Sequence, residues 1–444
     1  METTNTKVEK ISQSITLKAI IIAGLTLLML IPSSMIQNLI TERDFRSKET
    51  IEKINSKWSN AQTVSGPVLV IPYTKKTAND KKMIVIENHT FNLTPDKLII
   101  KSNMTTEERH YGIYKSILYK SILEISGNFK SLDLIHIDGE PQWEKAYLRL
   151  GISDLRGIAK DIDFEVNGYH FNAETGGRND IIGQGLIIAL DNSEAMQSGK
   201  NIQFHCAMNL NGSSSLNFVP IGRNTHVEVK GTWKSPGFIG NYSPEYKINE
   251  NGFNANWNVL HYNRNIPEAW IDSYATDAGL NTFGVNLVDT VDHYQLNMRS
   301  AKYALMFISL TFVVFFFVEV LTKKRIHPIQ YLLVGVALIL FYSLLLSISE
   351  QMNFSIAYLI ASIATISLIV IYTKSIFKNK FQTSILALLL CVLYIFLYVV
   401  LQLEDVALLI GSIGLFIILG VIMFISKKIN WYRDEHTEKD IKGN

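Results

Sequence analysis

The sequence predicts an α-helical polytopic membrane protein that carries a large, mainly β external domain with a sandwich-like fold. Three observations predict this fold: long apolar runs near the two ends of the chain, a polar segment of about 260 residues between them, and short β-rich runs within that segment. Only 18% of the 444 residues are charged, against about a quarter in a typical soluble protein. The apolar residues are therefore concentrated in the runs.

Six apolar runs are long enough to cross a bilayer, since about 20 helical residues cover its hydrocarbon core. They are residues 19–40, 303–322, 329–348, 355–373, 383–401 and 406–426. We predict one transmembrane helix followed, after the polar segment, by a five-helix bundle over 303–426. The first run could instead be a cleaved signal peptide, because Lys7, Lys10 and Lys18 precede it. A retained anchor is favoured, because no small-residue cleavage site follows and the run continues to Ile40.

Basic residues in the short loops predict the orientation, because Lys and Arg resist translocation. They occur before residue 19, in loops 323–328 and 374–382, and in the C-terminal tail, whereas loops 349–354 and 402–405 have none. The tails 1–18 and 427–444 are therefore predicted to be cytoplasmic, and residues 41–302 to lie on the outer side of the membrane.

The external domain has 28 basic and 30 acidic residues, and the whole chain has a net charge of +2, so neither suggests a nucleic-acid partner. Ile51, Ile54 and Trp58 recur at helical spacing and predict an amphipathic stalk that ends at Gly66 and Pro67. The predicted strands lie at 68–73, 83–86, 97–100, 111–118, 201–210 and 225–230, with a hairpin turn at 211–213. One β-sandwich and two β-subdomains divided near 191–200 are both compatible with this pattern.

Residues that could carry chemistry are few, and no spacing typical of a metal or cofactor site occurs. Asp154 and Arg156 would share one face of a strand and could bind a charged ligand, or would cap backbone groups in a turn. Arg223 follows Gly222 in a predicted tight turn, for which a polar binding loop is the alternative.

Within the apolar runs, Glu319 is a candidate functional residue because ionisable side chains are costly in a membrane. Lys323, four residues later, could pair with it, so a salt bridge and a proton relay are both compatible with the sequence. Arg325, His327 and Gln330 complete a polar group at the predicted cytoplasmic face. Gly335, Gly411 and Gly414 are typical either of close helix packing or of a broken transporter helix.

Several stretches together have the pattern of a known family. They are Gly66, Pro67, Leu69, Ile71 and Pro72; Glu108, Arg109, Gly112, Ile113 and Tyr114; Ser153 to Ile158; Val219 to Asn224; Asp292, Tyr294, Gln295, Arg299, Lys302 and Tyr303; and, in the spans, Glu319, Arg325, His327, Pro328, Gln330, Tyr331, Gly335, Ser349 and Glu350. On these residues the chain resembles the CreD family of bacterial inner-membrane proteins, described as cell-envelope integrity or colicin-tolerance proteins. The resemblance implies an inner-membrane location and a role in envelope stress and β-lactam response, and it supplies no catalytic residues.

The favoured hypothesis is a non-enzymatic inner-membrane protein that supports envelope integrity, with no cofactor and with a periplasmic β domain that contacts an envelope partner. Two alternatives remain open. One is an envelope-modifying hydrolase or transferase in which Asp154, Arg156 and Arg223 meet in a cleft. The other is a lipid or small-molecule transporter centred on Glu319. The lipid bilayer is a partner in all three, and the sequence does not indicate an oligomeric state.

Overall fold

A computed structural model describes residues 15–78, 84–131, 136–177, 183–191, 201–272, 281–287, 293–322, 326–377, 379–403 and 406–427. Lys323 and Arg325 lie outside these residues, as does nearly all of the predicted boundary at 191–200. The chain divides into two compact units. Met1–Arg46 and Val291–Asn444 form one, here called the membrane unit, and Ser47–Thr290 form the other, here called the β unit.

The helices are α1 (Ile15–Leu28), α2 (Leu30–Trp58), α3 (His293–Lys302), α4 (Ala304–Thr322), α5 (Pro328–Ser349), α6 (Phe354–Phe377), α7 (Lys380–Gln402) and α8 (Ala407–Ser426). Four helical stretches are long and apolar enough to span a membrane: Leu17–Trp58, α5, α6 and α7. The pair α3 and α4, bent by 42°, makes a fifth if it is one span, and the apolar segment Leu409–Phe424 is shorter. The predicted count of six spans is therefore not confirmed within the described residues.

The strands are β1 (Gln62–Ala78), β2 (Ile84–Leu93), β3 (Lys97–Tyr111), β4 (Tyr114–Phe129), β5 (Glu140–Pro141), β6 (Tyr147–Ile152), β7 (Asp163–Val166), β8 (Tyr169–Gly177), β9 (Gln184–Ala189), β10 (Ile202–Ser213), β11 (Ser215–Phe218), β12 (Asn224–Gly231), β13 (Pro236–Gly240), β14 (Glu245–Asn249), β15 (Gly252–Leu260), β16 (Ala269–Ile271) and β17 (Phe283–Leu287). The β class predicted for this segment is confirmed. The six predicted strands correspond to longer strands, β1, β2, β3, β4, β10 and β12. The single strand predicted over 111–118 is wrong at its start, because the chain turns at Gly112 and Ile113 between β3 and β4.

The strands pair in two sheets. In the first, β1 is central and lies antiparallel to β2 and β6 and parallel to β11. In the second, β4 lies between β3 and β10, and β12 runs parallel to β3. Strand β8 pairs with β7 in one sheet and with β9 in the other. One buried core includes side chains of both sheets, such as Leu69 and Leu148 from the first and Leu123 and Trp257 from the second. That the sheets face each other as a sandwich stays a prediction.

Two local predictions in the β unit are wrong. Gly66 and Pro67 do not end the stalk helix, which stops at Trp58; they lie within β1, at an irregularity in its pairing with β6. Asn211 and Gly212 do not form a turn either, because β10 continues to Ser213, paired with β4. Ser214, at φ 61°, turns the chain instead. The sequence pattern misplaced both because long-range strand pairing overrides local turn propensity.

Candidate functional site

Asp154 lies in a turn directly after β6 and caps a short 3₁₀ helix, Leu155–Gly157. Its Oδ1 accepts hydrogen bonds from Arg156 N (3.2 Å) and Arg156 Nε (2.8 Å). Its Oδ2 accepts from Arg156 Nη2 (2.6 Å) and Asn60 N (2.9 Å). The geometry therefore matches the capping interpretation of this motif rather than two side chains along a strand.

Arg156 connects the same turn to the end of the stalk helix. Its Nη1 donates to the carbonyl oxygen of Ser56 (2.6 Å), in the last turn of α2, where carbonyl groups lack helical partners. Gly157 allows the turn to lie close to β1 and β10, because a Cβ at this position would lie 2.3 Å from the carbonyl oxygen of Asn211 and from Gln62 Nε2. The motif Ser153 to Ile158 thus joins helix, β1 and β10.

The electrostatics of the turn follow from these contacts. The hydrogen bonds from Arg156 hold the pKa of the Asp154 carboxyl well below its usual range, although partial burial opposes the shift. The hydrogen bonds and the negative charge of Asp154 in turn raise the pKa of the Arg156 guanidinium. Asp154 is therefore an ionised carboxylate whose two oxygens both accept hydrogen bonds. A general acid needs the opposite, a carboxyl group that is protonated at the working pH.

Arg223 lies in the bend before β12 and belongs to a different network. Its Nε lies 3.1 Å from Glu268 Oε1, and its Nη1 lies 3.6 Å from Asp96 Oδ1. Lys130 Nζ also contacts Glu268, at 2.9 Å. The backbone of Arg223 donates to the carbonyl oxygen of Pro95 (2.8 Å), which sets β12 beside β3.

Arg264 is a charged side chain near this network that the sequence reasoning missed. It is buried, and its Nη1 donates to the carbonyl oxygen of Ile266 (2.6 Å). Its Nε and Nη2 have no hydrogen-bond partner among the described residues. Burial lowers the pKa of Arg264, and the charge of Glu268 opposes that shift. Hydrogen bonding by Lys130 lowers the pKa of Glu268.

The structure places the three candidate residues of the hydrolase hypothesis in two separate ion-pair groups. Asp154 and Arg156 bond to each other and to the end of α2, whereas the described ion pairs of Arg223 are with Asp96 and Glu268. No described contact joins Arg223 to Asp154 or Arg156, so the structure gives no support for a common reacting site.

In the membrane unit, Glu319 is buried with an exposed fraction of 3% and is hydrogen-bonded through both oxygens. Oε1 lies 2.6 Å from Lys18 Nζ and 3.3 Å from Ile326 N. Oε2 accepts a hydrogen bond from the Tyr331 hydroxyl at 2.9 Å. Among the described residues the salt bridge of Glu319 is with Lys18, and Glu319 therefore connects α1, α4 and α5. Lys323, the partner considered from the sequence, lies outside the described residues.

His327 and Gln330 form a capping box at the start of α5. His327 Nδ1 accepts a hydrogen bond from Ile329 N (3.3 Å), and Gln330 Oε1 accepts one from His327 N (3.0 Å). These two candidates therefore satisfy backbone donors that the helix start would leave without partners. Arg325, the remaining candidate at this face, lies outside the described residues.

A second polar cluster lies at the other end of α5 and was missed. Glu350 Oε1 accepts from the Tyr294 hydroxyl (3.1 Å) and lies 4.0 Å from Arg43 Nε. Asn297 Nδ2 donates to Ser349 Oγ (2.7 Å). In the sequence, Glu350 lies in the predicted loop 349–354 and is not among the candidate functional residues. The sequence feature that could have indicated this cluster is the presence of Tyr294, Ser349 and Glu350 together among the family-like residues.

The β unit also exposes an apolar strand edge that the sequence did not indicate. The segment 84–88 of β2, here called the β2 edge, pairs with β1 on one side. On its other side β2 pairs with β16 only at residues 91–93 within the part of the chain that the structure describes. Ile84 and Ile86 are 74% and 61% exposed, and Val85, which points to the opposite face, is exposed too.

Comparison with known proteins places these features in a family. The family model described as "Inner membrane protein CreD" matches residues 14–432. The chain is 33% identical, over 416 residues, to "Inner membrane protein CreD" of Escherichia coli (strain K12), covering 92% of each protein. The resemblance read from the sequence is thereby confirmed, and the apolar helices agree with a multi-pass location in the inner membrane. The chain belongs to the CreD family of inner membrane proteins.

Proposed function

We propose that this protein is a non-enzymatic scaffold of the inner membrane that supports envelope integrity, and that its β unit contacts an envelope protein through the β2 edge. The β unit lies on the periplasmic side in this proposal, with both chain termini in the cytoplasm. The one-sided distribution of basic residues in the short loops supports that orientation.

The observation that carries the proposal is the apolar character of the β2 edge. An antiparallel edge strand presents unpaired N–H and C=O groups, to which another extended segment can add as a further strand. Natural edges are usually protected by charge, proline or a covering element. Here three consecutive β-branched apolar residues, Ile84, Val85 and Ile86, are exposed on both faces instead.

A protein partner fits this edge better than a glycan or a nucleic acid. A partner strand would pair with the backbone groups of residues 84–88 and cover the Ile84 and Ile86 side chains on one face. A sugar polymer would instead need polar groups and aromatic platforms, which residues 84–86 lack. Exposed contiguous apolar groups are typical of protein contact sites.

The non-enzymatic part of the proposal is supported by how the candidate catalytic groups are used. Asp154 is hydrogen-bonded through both oxygens to Arg156 and Asn60, and Arg223 pairs with Glu268 and Asp96. Each of these charges stabilises a strand or helix connection. A group so engaged is a poor proton donor or nucleophile activator.

Site-specific photo-crosslinking in cells tests the partner directly. A photoreactive phenylalanine derivative replaces Ile86, and in the matched control it replaces Ile122, which is 53% exposed but lies on β4 between β3 and β10. We expect a discrete adduct with an envelope protein from position 86 and none from position 122. The same adduct from both positions, or none from position 86, would contradict a specific contact at the β2 edge.

A further inference from the structure

Arg264 is a buried cation whose hydrogen-bonding groups are only partly used. The residue is 6% exposed, and its Nη1 donates to the carbonyl oxygen of Ile266 (2.6 Å). Its Nε and Nη2 are buried as well and have no hydrogen-bond partner among the residues that the structure describes. A charged group removed from water costs free energy unless its donors are paired. An acceptor bound at these two nitrogens would remove that cost.

Arg156 of the same chain shows which acceptor fits such a pair of nitrogens. Its Nη1 also donates to a backbone carbonyl, that of Ser56 (2.6 Å). Its Nε and Nη2 bind the two oxygens of the Asp154 carboxylate, at 2.8 and 2.6 Å. These two nitrogens lie on one edge of the planar guanidinium, which matches a carboxylate in a bidentate pair. Arg264 uses its Nη1 in the same way, so the same edge remains for a ligand.

The charges near Arg264 favour a ligand with a single negative charge. Arg223 and Lys130 both pair with Glu268, and Arg223 also lies 3.6 Å from Asp96. The charges of Glu268 and Arg223 both act on Arg264. This group of described residues has three cations and two carboxylates, a net charge of +1. One carboxylate from a ligand would neutralise it.

The segment that carries Arg264 is fixed on both sides of this residue. The carbonyl oxygen of Asn263 accepts a hydrogen bond from the Tyr242 hydroxyl (2.6 Å). Ile266 packs against a cluster of buried aliphatic side chains: Val68, Val70, Val219 and Ile221. Glu268, whose charge acts on Arg264, is exposed, so the guanidinium lies close beneath the surface. A donor group held in this way is preorganised for a ligand.

We propose that the Nε and Nη2 edge of Arg264 is a binding site for a carboxylate ligand. Each nitrogen donates to one carboxylate oxygen, while Nη1 keeps its hydrogen bond to Ile266. The ligand enters beside Glu268, which stays paired with Arg223 and Lys130. A small free acid and the C-terminus of a short peptide both carry this chemical group, and the experiment distinguishes the two sources.

The test uses the full-length protein in detergent and follows its thermal stability at constant ionic strength. Chloride is replaced stepwise by one of three probes: acetate, alanyl-alanine or alanyl-alanine amide. We expect saturable stabilisation by acetate and by alanyl-alanine, and none by the amide, which lacks a carboxylate. Tighter binding of the dipeptide than of acetate would identify a peptide terminus as the ligand, and equal binding would identify a small acid.

Arg264→Met removes the guanidinium edge and keeps much of the side-chain volume. We expect acetate to bind this variant at least about tenfold more weakly, the scale of one charged hydrogen-bonded contact. Without acetate the variant should be at least as stable as the wild type, because it removes a buried charge with unpaired donors. Arg156→Gln is the matched control: Asp154 occupies its edge, so this variant should lose stability but bind acetate as the wild type does.

Glu268→Gln tests the site without removing any buried group. This substitution takes away a negative charge beside Arg264, so acetate should bind about threefold more tightly, the scale of a partly exposed charge. Asp163→Asn removes an exposed carboxylate on β7 and should leave the affinity for acetate unchanged.

Three results would overturn the proposal. One is equal stability of the wild type in acetate and in chloride. The second is wild-type affinity for acetate in Arg264→Met or in Glu268→Gln. The third is a marked loss of stability in Arg264→Met without acetate, which would show that the protein itself supplies the acceptors. None of these results depends on the β2 edge.

Discussion

Glu319 joins three helices of the membrane unit through one buried carboxylate. An ionised carboxylate removed from water is stable only if it is paired and its lone pairs are used. Lys18, Tyr331 and the backbone of Ile326 supply those contacts from three parts of the chain. Removing any one of them leaves a charge or a donor without its partner.

A double-mutant cycle measures this coupling. Lys18→Met and Glu319→Gln should each lower the thermal stability of the detergent-solubilised protein, because each leaves the other partner unpaired. The double variant should lose less than the sum of the two losses, with a coupling free energy on the order of 1 kcal/mol. Strict additivity would show that the 2.6 Å contact contributes nothing to stability.

The low pKa of Asp154 predicts a pH dependence with a definite sign. In the unfolded chain the carboxyl protonates near its ordinary value of 3.8, whereas in the folded protein it stays ionised to lower pH. Its stabilisation is therefore present above pH 3.8 and is lost as the pH falls from there towards the folded pKa.

Asp154→Asn should lower the free energy of unfolding at pH 7 by about 2 kcal/mol, the scale of charged hydrogen bonds. The difference from the wild type should shrink as the pH falls below about 4, where the unfolded carboxyl becomes protonated. Thermal unfolding of both proteins between pH 7 and pH 3 measures this difference. A gap of constant size over that range would contradict the assignment.

Among the elements, the start of α5 is where two residues predicted to be functional candidates, His327 and Gln330, instead cap a helix. His327 and Gln330 have the spacing of a capping box. The His327 side chain accepts a hydrogen bond from Ile329 N, and the Gln330 side chain accepts one from His327 N. The sequence presented them only as polar residues at a membrane face, because histidine is an uncommon capping residue and the helix boundary was not known to a residue.

The capping role distinguishes two substitutions at position 327. His327→Ala should reduce stability by about 1 kcal/mol, whereas His327→Asn, which can accept the same hydrogen bond, should retain most of it. Thermal unfolding in detergent measures both. Equal losses in the two variants would indicate that the imidazole has another role.

Gly335 of α5 and Gly411 of α8 differ in the space around them, and we expect them to differ in tolerance to a larger side chain. A Cβ at this position would lie 2.9 Å from Phe312 Cζ and 3.0 Å from Met29 Sδ, whereas at Gly411 no described atom lies within 4 Å. Gly335→Leu should therefore cost about 1–3 kcal/mol through overpacking, and Gly411→Leu should be tolerated. Comparable losses of thermal stability at the two positions would contradict close packing at Gly335. The close contacts favour the packing interpretation of this glycine over a transporter hinge.

At the scale of the whole molecule, composition and periodicity predict which segments are transmembrane helices and which are strands. They do not predict the contacts between distant segments within each unit. Apolar runs can be counted from the sequence, and strand-rich segments differ from helical ones in their period. The pairing of Lys18 with Glu319, or of β1 with β11, depends on chain segments about 150 to 300 residues apart. No local pattern carries that information. Lys323, which the sequence offers as a possible partner because it is close to Glu319 along the chain, lies outside the described residues.

The proposed orientation can be tested with a pair of cysteine variants. Tyr262→Cys is at an 83% exposed position of the β unit, and Lys374→Cys lies at the end of α6 proposed to face the cytoplasm. A membrane-impermeant maleimide added to spheroplasts should label only the first, and lysis should expose the second. The unsubstituted protein gives the background from Cys206, which is buried, and Cys391. Labelling of position 374 in intact spheroplasts would reverse the proposed topology.

The most direct test of the proposed function is growth of a strain that lacks this protein, challenged with a β-lactam and complemented with one of three genes: wild type, Ile86→Lys or Ile122→Lys. Both lysines replace exposed isoleucines, so protein levels and membrane insertion should match the wild type on immunoblots. We predict that Ile122→Lys restores growth and that Ile86→Lys does not, because a charge on the β2 edge prevents an added strand from packing. Full restoration of growth by Ile86→Lys would contradict a function that depends on this edge.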